Sequence, residues 1–140
     1  MIRVFTVVLC LWTSGLWAQS ESLSDDDRQA IRAVIADQLA AFQRDDGAAA
    51  FAQATPNIQA IFQSPEVFMR MVREAYQPVY RPSQVEFREV VDFRGAPAQR
   101  VFLVGPDGIA VIALYPMERQ SDGTWRINGC YLLRADENSV

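Results

Sequence analysis

The chain of 140 residues is long enough for one domain with its own hydrophobic core. It is 50% apolar and 21% charged, a balance typical of globular proteins. The net charge of −4 argues against nucleic acid and anionic membrane surfaces as partners. The chain has no histidine, which excludes histidine acid–base catalysis and most zinc sites. We therefore expect neither a metal nor another cofactor.

The N-terminus has the pattern of a secretory signal peptide over residues 1–18. Arg3 precedes the apolar run Val4–Trp12, which is too short to span a bilayer, and Ala18 is a small residue before a cleavage point. An uncleaved anchor or a buried strand is the alternative. We expect cleavage near Ala18, export to the periplasm or the extracellular medium, and no stable membrane insertion afterwards. Cys130 would then be the one remaining cysteine, without a disulfide partner.

The first half of the mature chain predicts helices. Ser24, Thr55 and Ser64 stand at N-cap positions, and proline follows Thr55 and Ser64 directly. Apolar side chains recur at helical spacing after Ser24 and after Ser64. The predicted segments are Asp25–Gln43, Ala48–Ala54, Pro56–Phe62 and a second long helix from Pro65 to about Pro78.

The second half predicts a four-stranded antiparallel meander. The predicted strands are Gln84–Phe93, Gln99–Val104, Ile109–Met117 and Thr124–Leu133. Glycine and aspartate at Gly105–Gly108 and Gln120–Gly123 supply the backbone conformations of tight turns. Because Ile109–Met117 is apolar on both faces, we expect it to be the central strand, covered on two sides.

One side of this predicted sheet lacks a cover, since the helices can bury only the other. We expect a partner there, most simply a second copy of the chain, which would form a homodimer. A different partner protein is also possible. Strict alternation along the strands assigns six residues to this interface: Ala110, Ile112, Leu114, Arg126, Asn128 and Cys130.

Several motifs resemble domain-of-unknown-function family 4864, which comprises small bacterial proteins, many of them apparently exported. The motifs lie within Asp25–Leu133 and are Phe42, Ala54-Thr55-Pro56-Asn57-Ile58, Ser64-Pro65 with Phe68, Tyr76-Gln77-Pro78-Val79, Tyr115-Pro116-Met117 and Ile127-Asn128-Gly129. Helices followed by a meander that ends in Asp122-Gly123-Thr124-Trp125-Arg126-Ile127 are also similar to the nuclear transport factor 2-like (cystatin-like) superfamily.

This resemblance implies an α+β fold in which helices pack on a curved four-stranded antiparallel meander, the cystatin-like cone. The predicted organisation is a signal peptide at 1–18, a single α+β cone domain at 19–134 and a polar C-terminal tail at 135–140. The resemblance implies no activity and no site residues. The superfamily includes isomerases, dehydratases, epoxide hydrolases and binding modules, and fold does not choose among them.

Glu89 is the first candidate for a functional side chain. Alternation places it between Phe87 and Val91 on the apolar face of its strand, where burial would raise its pKa and suit it to general-base catalysis. The alternative is a β-bulge that turns Glu89 into water. Tyr76 and Tyr115 are candidate oxyanion donors, or otherwise core residues. The predicted ligand pocket consists of Phe68, Tyr76, Tyr80, Glu89, Tyr115 and Tyr131.

The sequence thus predicts a small exported binding or protein-interaction module without catalytic activity, with a small apolar molecule or a protein as its partner. The alternative is a cofactor-independent isomerase or hydrolase that uses Glu89 with Tyr76 or Tyr115. A third possibility is an inhibitor or accessory subunit that acts through an exposed edge strand. The position of Glu89 relative to a closed apolar pocket distinguishes the first two.

Overall fold

A computed structural model describes residues 22–135, which form five helices and five strands and so an α+β protein. The predicted signal peptide at 1–18 and residues 136–140 of the predicted tail lie outside the described residues. The helices are α1 (Asp25–Gln43), α2 (Gly47–Ala52), α3 (Pro56–Phe62), α4 (Pro65–Ala75) and α5 (Gln77–Tyr80). The strands are β1 (Gln84–Phe93), β2 (Ala96–Val104), β3 (Ala110–Arg119), β4 (Trp125–Ile127) and β5 (Tyr131–Arg134).

The predicted helix starts are confirmed by their caps. The side chains of Ser24, Thr55 and Ser64 each accept a hydrogen bond from a backbone N–H in the first turn of α1, α3 and α4. The predicted second long helix is shorter than expected. It ends at Ala75 because Tyr76 leaves the helical conformation, with φ −128° and ψ 43°, before the short α5 begins.

The sheet is antiparallel, and β3 is its central strand, as predicted. β1 pairs with β2, β2 pairs with β3, and both β4 and β5 pair with the other side of β3. Every residue from 111 to 117 is buried. The two predicted tight turns are present, and in each an aspartate, Asp107 or Asp122, accepts from the backbone N–H two residues on, at 3.0 and 2.9 Å.

The predicted last strand is divided in two, which corrects the sequence prediction. β4 pairs with Met117–Arg119, whereas β5 pairs with Val111–Leu114. Gly129 lies between them with φ +134°, a conformation that side-chain-bearing residues rarely adopt. Asn128 N–H still donates to the Pro116 carbonyl of β3 at 2.8 Å, so the ladder is interrupted after Asn128 and resumes at Tyr131 with the alternation of its side chains inverted.

We call the side of the sheet that carries the helices the inner face and the opposite side the outer face. The core lies between the inner face and the helices, with Phe68 of α4 in contact with three other phenylalanine rings at centroid distances of 5.3 to 6.1 Å. The most deeply buried side chains of this core include Ile31, Ile35, Phe42, Val101, Leu103 and Tyr115.

The residues before α3 cover the edge of β4 that does not pair with β3. Thr55 N–H donates to the Ile127 carbonyl at 2.9 Å, and Ile127 N–H donates to the Gln53 carbonyl at 2.9 Å. This short parallel bridge brings the N-cap of α3 beside the break between β4 and β5. The arrangement positions the site described next.

Candidate pocket between the helices and the broken strand

A pocket of about 430 Å³ opens between α3, α4 and the break between β4 and β5. The side chains of Ile61 and Tyr131 are 63% and 45% exposed and stand at its mouth. α3 has no buried residue of its own, so its apolar side chains face this space. The lining residues are Gln38, Phe42, Ala54, Ile58, Ile61, Phe62, Phe68, Met71, Val72, Ala75, Tyr76, Val79, Tyr115, Ile127, Asn128, Gly129, Cys130 and Tyr131.

The pocket lining carries no charged side chain. Its polar groups are two amides, three phenols and one thiol, and the other residues are apolar or glycine. Burying an unpaired charge in such surroundings is costly, because nothing in the lining neutralises it. The lining therefore suits an uncharged and largely apolar molecule.

Tyr115 has the most unusual polar group in the pocket. The residue is fully buried, and its hydroxyl has no hydrogen-bond partner within residues 22–135. Burial raises the pKa of Tyr115 well above its ordinary value of 10.0, so the group remains a neutral phenol at physiological pH. Leaving a buried hydroxyl unpaired costs about 1–3 kcal/mol. Because this hydroxyl has almost no accessible surface, it lies behind the pocket wall rather than in contact with a molecule in the pocket.

Cys130 lies beside that hydroxyl. Burial raises the pKa of the Cys130 thiol to about 12, so the thiolate needed for nucleophilic attack does not form near neutral pH. The thiol and the Tyr115 hydroxyl are neighbours but make no hydrogen bond of acceptable geometry. Tyr76 donates its own hydroxyl proton to the Cys130 carbonyl at 3.0 Å, and burial raises the pKa of Tyr76.

Asn128 presents its amide to the pocket in a fixed orientation. Thr55 is fully buried, and its hydroxyl accepts from Ile58 N–H, at 3.3 Å, while it donates to Asn128 Oδ1 at 2.9 Å. Since Oδ1 is engaged, Nδ2 is the free end of the amide, and it donates to no group in the described part of the chain. Gln38, which is 4% exposed, is similarly oriented by a 3.1 Å bond from its Nε2 to the Ala50 carbonyl.

Four of the six residues predicted for the pocket do line it: Phe68, Tyr76, Tyr115 and Tyr131. Tyr80 and Glu89 do not. The Tyr80 hydroxyl instead donates to the carboxylate of Asp45, and the guanidinium of Arg81 lies 3.9 Å from the Tyr80 ring centroid. Tyr80 is therefore part of a surface cluster that joins α5 to the end of α1.

Glu89 lies on the outer face, which corrects its assignment to the interior. Phe87 pairs with Val101 and Val90 pairs with Gln99, so the ladder shifts register between Phe87 and Val90. This β-bulge is the alternative that the sequence offers for Glu89. It turns Glu89 to solvent, where it forms an ion pair with Arg100. The Glu89 backbone N–H and Arg100 hold the pKa of its carboxyl below the usual range.

The low pKa makes Glu89 a weak base, and the carboxylate is outside the pocket. The isomerase or hydrolase hypothesis therefore loses the general base on which it depended. Neither a carboxylate nor a basic side chain replaces it among the lining residues.

The six residues predicted for the dimer interface fall into two groups. Asn128 and Cys130 line the pocket, because the irregular segment between β4 and β5 ends the alternation that placed them on the outer face. Pairing places Ala110, Ile112, Leu114 and Arg126 on the outer face.

Within the single chain Ile112 and Leu114 are only 5% and 8% exposed, so they do not form the open apolar patch that the sequence predicts. The exposed large apolar side chains of the outer face are instead Tyr131 and Leu133, which pair with Leu114 and Ile112 and are 45% and 54% exposed.

Several pocket residues were missed at the sequence level. Gln38 lies three residues after Ile35 and four before Phe42, which places a polar amide on the apolar stripe of α1. A polar side chain at a position where the helix pattern calls for an apolar one is a sequence signal of a site. The dipeptide Asn128-Gly129 is a typical strand breaker, and it pointed to the irregular segment that forms the pocket wall.

Within residues 22–135 no helix is long and apolar enough to cross a membrane. The same residues contain no group of three or more acidic, cysteine or histidine side chains placed to hold a metal ion.

A family model described as Domain of unknown function (DUF4864) matches residues 24–140. No curated protein and no solved structure matches the chain. The match covers most of the chain and includes every helix and strand described above.

Proposed function

The chain belongs to the family Domain of unknown function (DUF4864), whose description assigns no activity, and we propose from the pocket geometry that it is a small-molecule binding module. The pocket takes up an uncharged, mainly apolar molecule. The observation that carries the proposal is a space of about 430 Å³ that is lined mainly by apolar side chains and by no charged one.

The size and lining of the pocket support binding. Small-molecule sites are typically apolar clefts of about 300–1,000 Å³ with a few oriented polar groups. Here Gln38 and Asn128 have their amides fixed by hydrogen bonds to protein groups, so little ordering of these side chains is needed when a molecule enters. The exposed Ile61 leaves the mouth open to solvent.

The chemistry of the lining supports binding without catalysis. Tyr76, Tyr115 and Cys130 all have raised pKa values and remain protonated near neutral pH. General-base and nucleophilic mechanisms need a deprotonated group at the reacting atom. The lining offers hydrogen bonds and apolar surface in place of such a group.

We also propose the setting in which this module acts. The signal-peptide pattern at residues 1–18 favours export, and the exposed Tyr131 and Leu133 favour a homodimer through the outer face. We assign the fold to the nuclear transport factor 2-like cone, in which helices cover one face of an antiparallel meander. Support comes from the order of helices before strands and from the pocket at the inner face.

The proposal is tested with N-phenylnaphthylamine, an uncharged apolar probe whose fluorescence rises when it leaves water. We expect saturable binding to the wild-type protein. The Ala75→Trp variant should weaken binding, because Ala75 is an exposed lining residue at the end of α4 and a large side chain there takes up part of the space.

Ala52→Trp is the matched control, since Ala52 is an exposed helical residue outside the pocket lining. It should bind the probe like the wild type. Absence of saturable binding, or equal binding by Ala75→Trp, would contradict the proposal.

A further inference from the structure

In the part of the chain that the structure describes, α3 is the helix without a buried residue, whereas each of the other four helices contains at least one. The apolar side chains of Ile58, Ile61 and Phe62 all line the pocket, and Ile61 is 63% exposed. Segments with few buried apolar contacts open at low cost in free energy, and the elements that move over ligand sites are drawn from them.

The N-terminal end of α3 is firmly attached to its surroundings. Its N-cap Thr55 is fully buried, and Thr55 donates through its N–H to the Ile127 carbonyl and through its hydroxyl to Asn128 Oδ1, both at 2.9 Å. One turn further on, Gln59 Nε2 donates to the Phe51 carbonyl of α2 at 3.1 Å. Any movement of α3 therefore pivots at this end and is largest at the opposite end, where the helix reaches the mouth of the pocket.

A strained turn joins the C-terminal end of α3 to α4. Gln63 has φ +69° and ψ −33°, and Ser64 N–H donates to the Phe62 carbonyl at 2.9 Å. This bond closes a γ-turn with a positive φ at its central residue, a conformation that is rare and strained. Ser64 cannot share the turn, because it precedes proline and is held extended, with φ −143° and ψ 154°. The change of direction between the two helices is thus concentrated in Gln63.

Resting on the proposed function above, we propose that α3 is a lid on the pocket and that Gln63 is its hinge. Hinges are typically single residues at the ends of elements, and strained backbone is often found at ligand clamps. When an apolar molecule enters, the last turn of α3 swings over it by rotation at Gln63, and Ile61 passes from solvent into contact with the bound molecule. The first turn stays attached through Thr55 and Gln59.

Stopped-flow mixing of the protein with N-phenylnaphthylamine measures whether the pocket closes. With a rigid open pocket the observed rate rises linearly with probe concentration, whereas closure after binding makes that rate level off. We expect a plateau for the wild type. Gln63→Gly should raise the plateau rate several-fold, because glycine adopts a positive φ readily and the hinge rotates with less strain.

Gln53→Gly is the matched control, since Gln53 ends α2 with an ordinary φ of −76° and lies outside the pocket lining. Its plateau rate should equal that of the wild type. A rate that rises linearly up to saturating probe, or a plateau that Gln63→Gly leaves unchanged, would overturn the lid and leave the proposed function standing.

Ile61→Ala is a second test that leaves the hinge intact. A side chain that is 63% exposed contributes little to holding a molecule in an open pocket, whereas a closed lid buries it. The probe should therefore dissociate several-fold faster from Ile61→Ala than from the wild type. Val67→Ala, at a 41% exposed position of α4 outside the lining, should release the probe at the wild-type rate. Equal rates for Ile61→Ala and the wild type would overturn the lid, and absence of saturable probe binding would overturn the proposed function as well.

Discussion

At the scale of single residues, Asp27 connects α1 to the sheet through one carboxylate. Its Oδ2 accepts from the Ser24 backbone N–H at 3.3 Å, which completes the capping box of α1, and from the Ser24 hydroxyl at 2.9 Å. Its Oδ1 accepts from the indole Nε1 of the buried Trp125 at 3.1 Å and forms an ion pair with Arg119. The Ser24 hydroxyl and then the Trp125 indole lower the pKa of Asp27 from 3.8 to about 2.

This pKa shift predicts a loss of stability in acid. Because the carboxyl of Asp27 is a stronger acid in the folded state, its contribution is complete above about pH 4, declines as the pH falls and is lost below about pH 2. Asp27→Asn should therefore lower the urea midpoint at pH 7. The difference from the wild type should shrink as the pH is reduced from 4 to 2.

Asp26→Asn is the matched control, because Asp26 is exposed in the same turn of α1 and neither Trp125 nor Arg119 contacts it. Its urea midpoint should stay close to that of the wild type at every pH. A gap between Asp27→Asn and the wild type that stays constant down to pH 2 would contradict the assignment to Asp27.

At the scale of secondary-structure elements, the break between β4 and β5 forms one wall of the pocket. In a continuous strand, Asn128, Cys130 and Leu132 would all lie on the outer face of the sheet. Instead Leu132 packs against the core, and residues 127–131 all line the pocket. The irregular backbone at Gly129 is thus what brings Asn128 and Cys130 to the pocket.

Gly129→Ala tests this role of the backbone. A φ of +134° is strained for alanine, and the added Cβ would meet no atom closer than 3.9 Å, so the change acts through backbone strain. We expect a loss of about 1–3 kcal/mol in unfolding free energy. Because the segment must shift to relieve the strain, N-phenylnaphthylamine binding should also weaken several-fold.

Gly95→Ala is the control that distinguishes the effect of backbone strain from the effect of a change in pocket geometry. Gly95 has φ +80° in the turn between β1 and β2, has open space around its Cβ position and does not line the pocket. It should lose stability in the same range with unchanged probe affinity. Equal loss of probe binding in both variants would mean that the break has no specific role in the site.

The bulge in β1 and the break at Gly129 are the features of the strands that the sequence does not predict. The bounds of α1, α3 and β1 were predictable because caps, prolines and turn glycines act locally. Which face Glu89 occupies was not, since a bulge of one residue inverts all later side chains and depends on the pairing with β2. The break at Gly129 inverts β5 in the same way.

At the scale of the whole molecule, the α+β class followed from predicted helices ahead of predicted antiparallel strands, and the central position of β3 followed from the apolar pattern of Ile109–Met117. The pocket as a whole could not be predicted from the sequence pattern. It forms where α1, α3, α4 and the broken strand meet, and Tyr76 and Tyr115 lie far apart in the sequence. Long-range packing decides whether such side chains meet, and periodicity carries no information about it.

The exposed apolar side chains of the outer face predict that two copies of the chain form a dimer. Leu133 is 54% exposed and Tyr131 45%, and the Tyr131 ring lies 5.4 Å from that of Phe93. Two ion pairs, Glu86 with Arg88 and Glu89 with Arg100, lie on the same face of the sheet as these apolar side chains. Positive and negative side chains therefore alternate there, and two copies related by a two-fold axis can place opposite charges together. We expect native mass spectrometry at micromolar concentration to find a dimer.

Leu133→Glu should convert that dimer to a monomer, because it places an unpaired charge on the exposed apolar surface that the dimer would bury. Val67→Glu, at a 41% exposed position on α4, introduces the same charge on the helical side and should remain dimeric. A wild-type monomer would contradict the interface. It would leave the pocket proposal standing, because every lining residue belongs to a single chain.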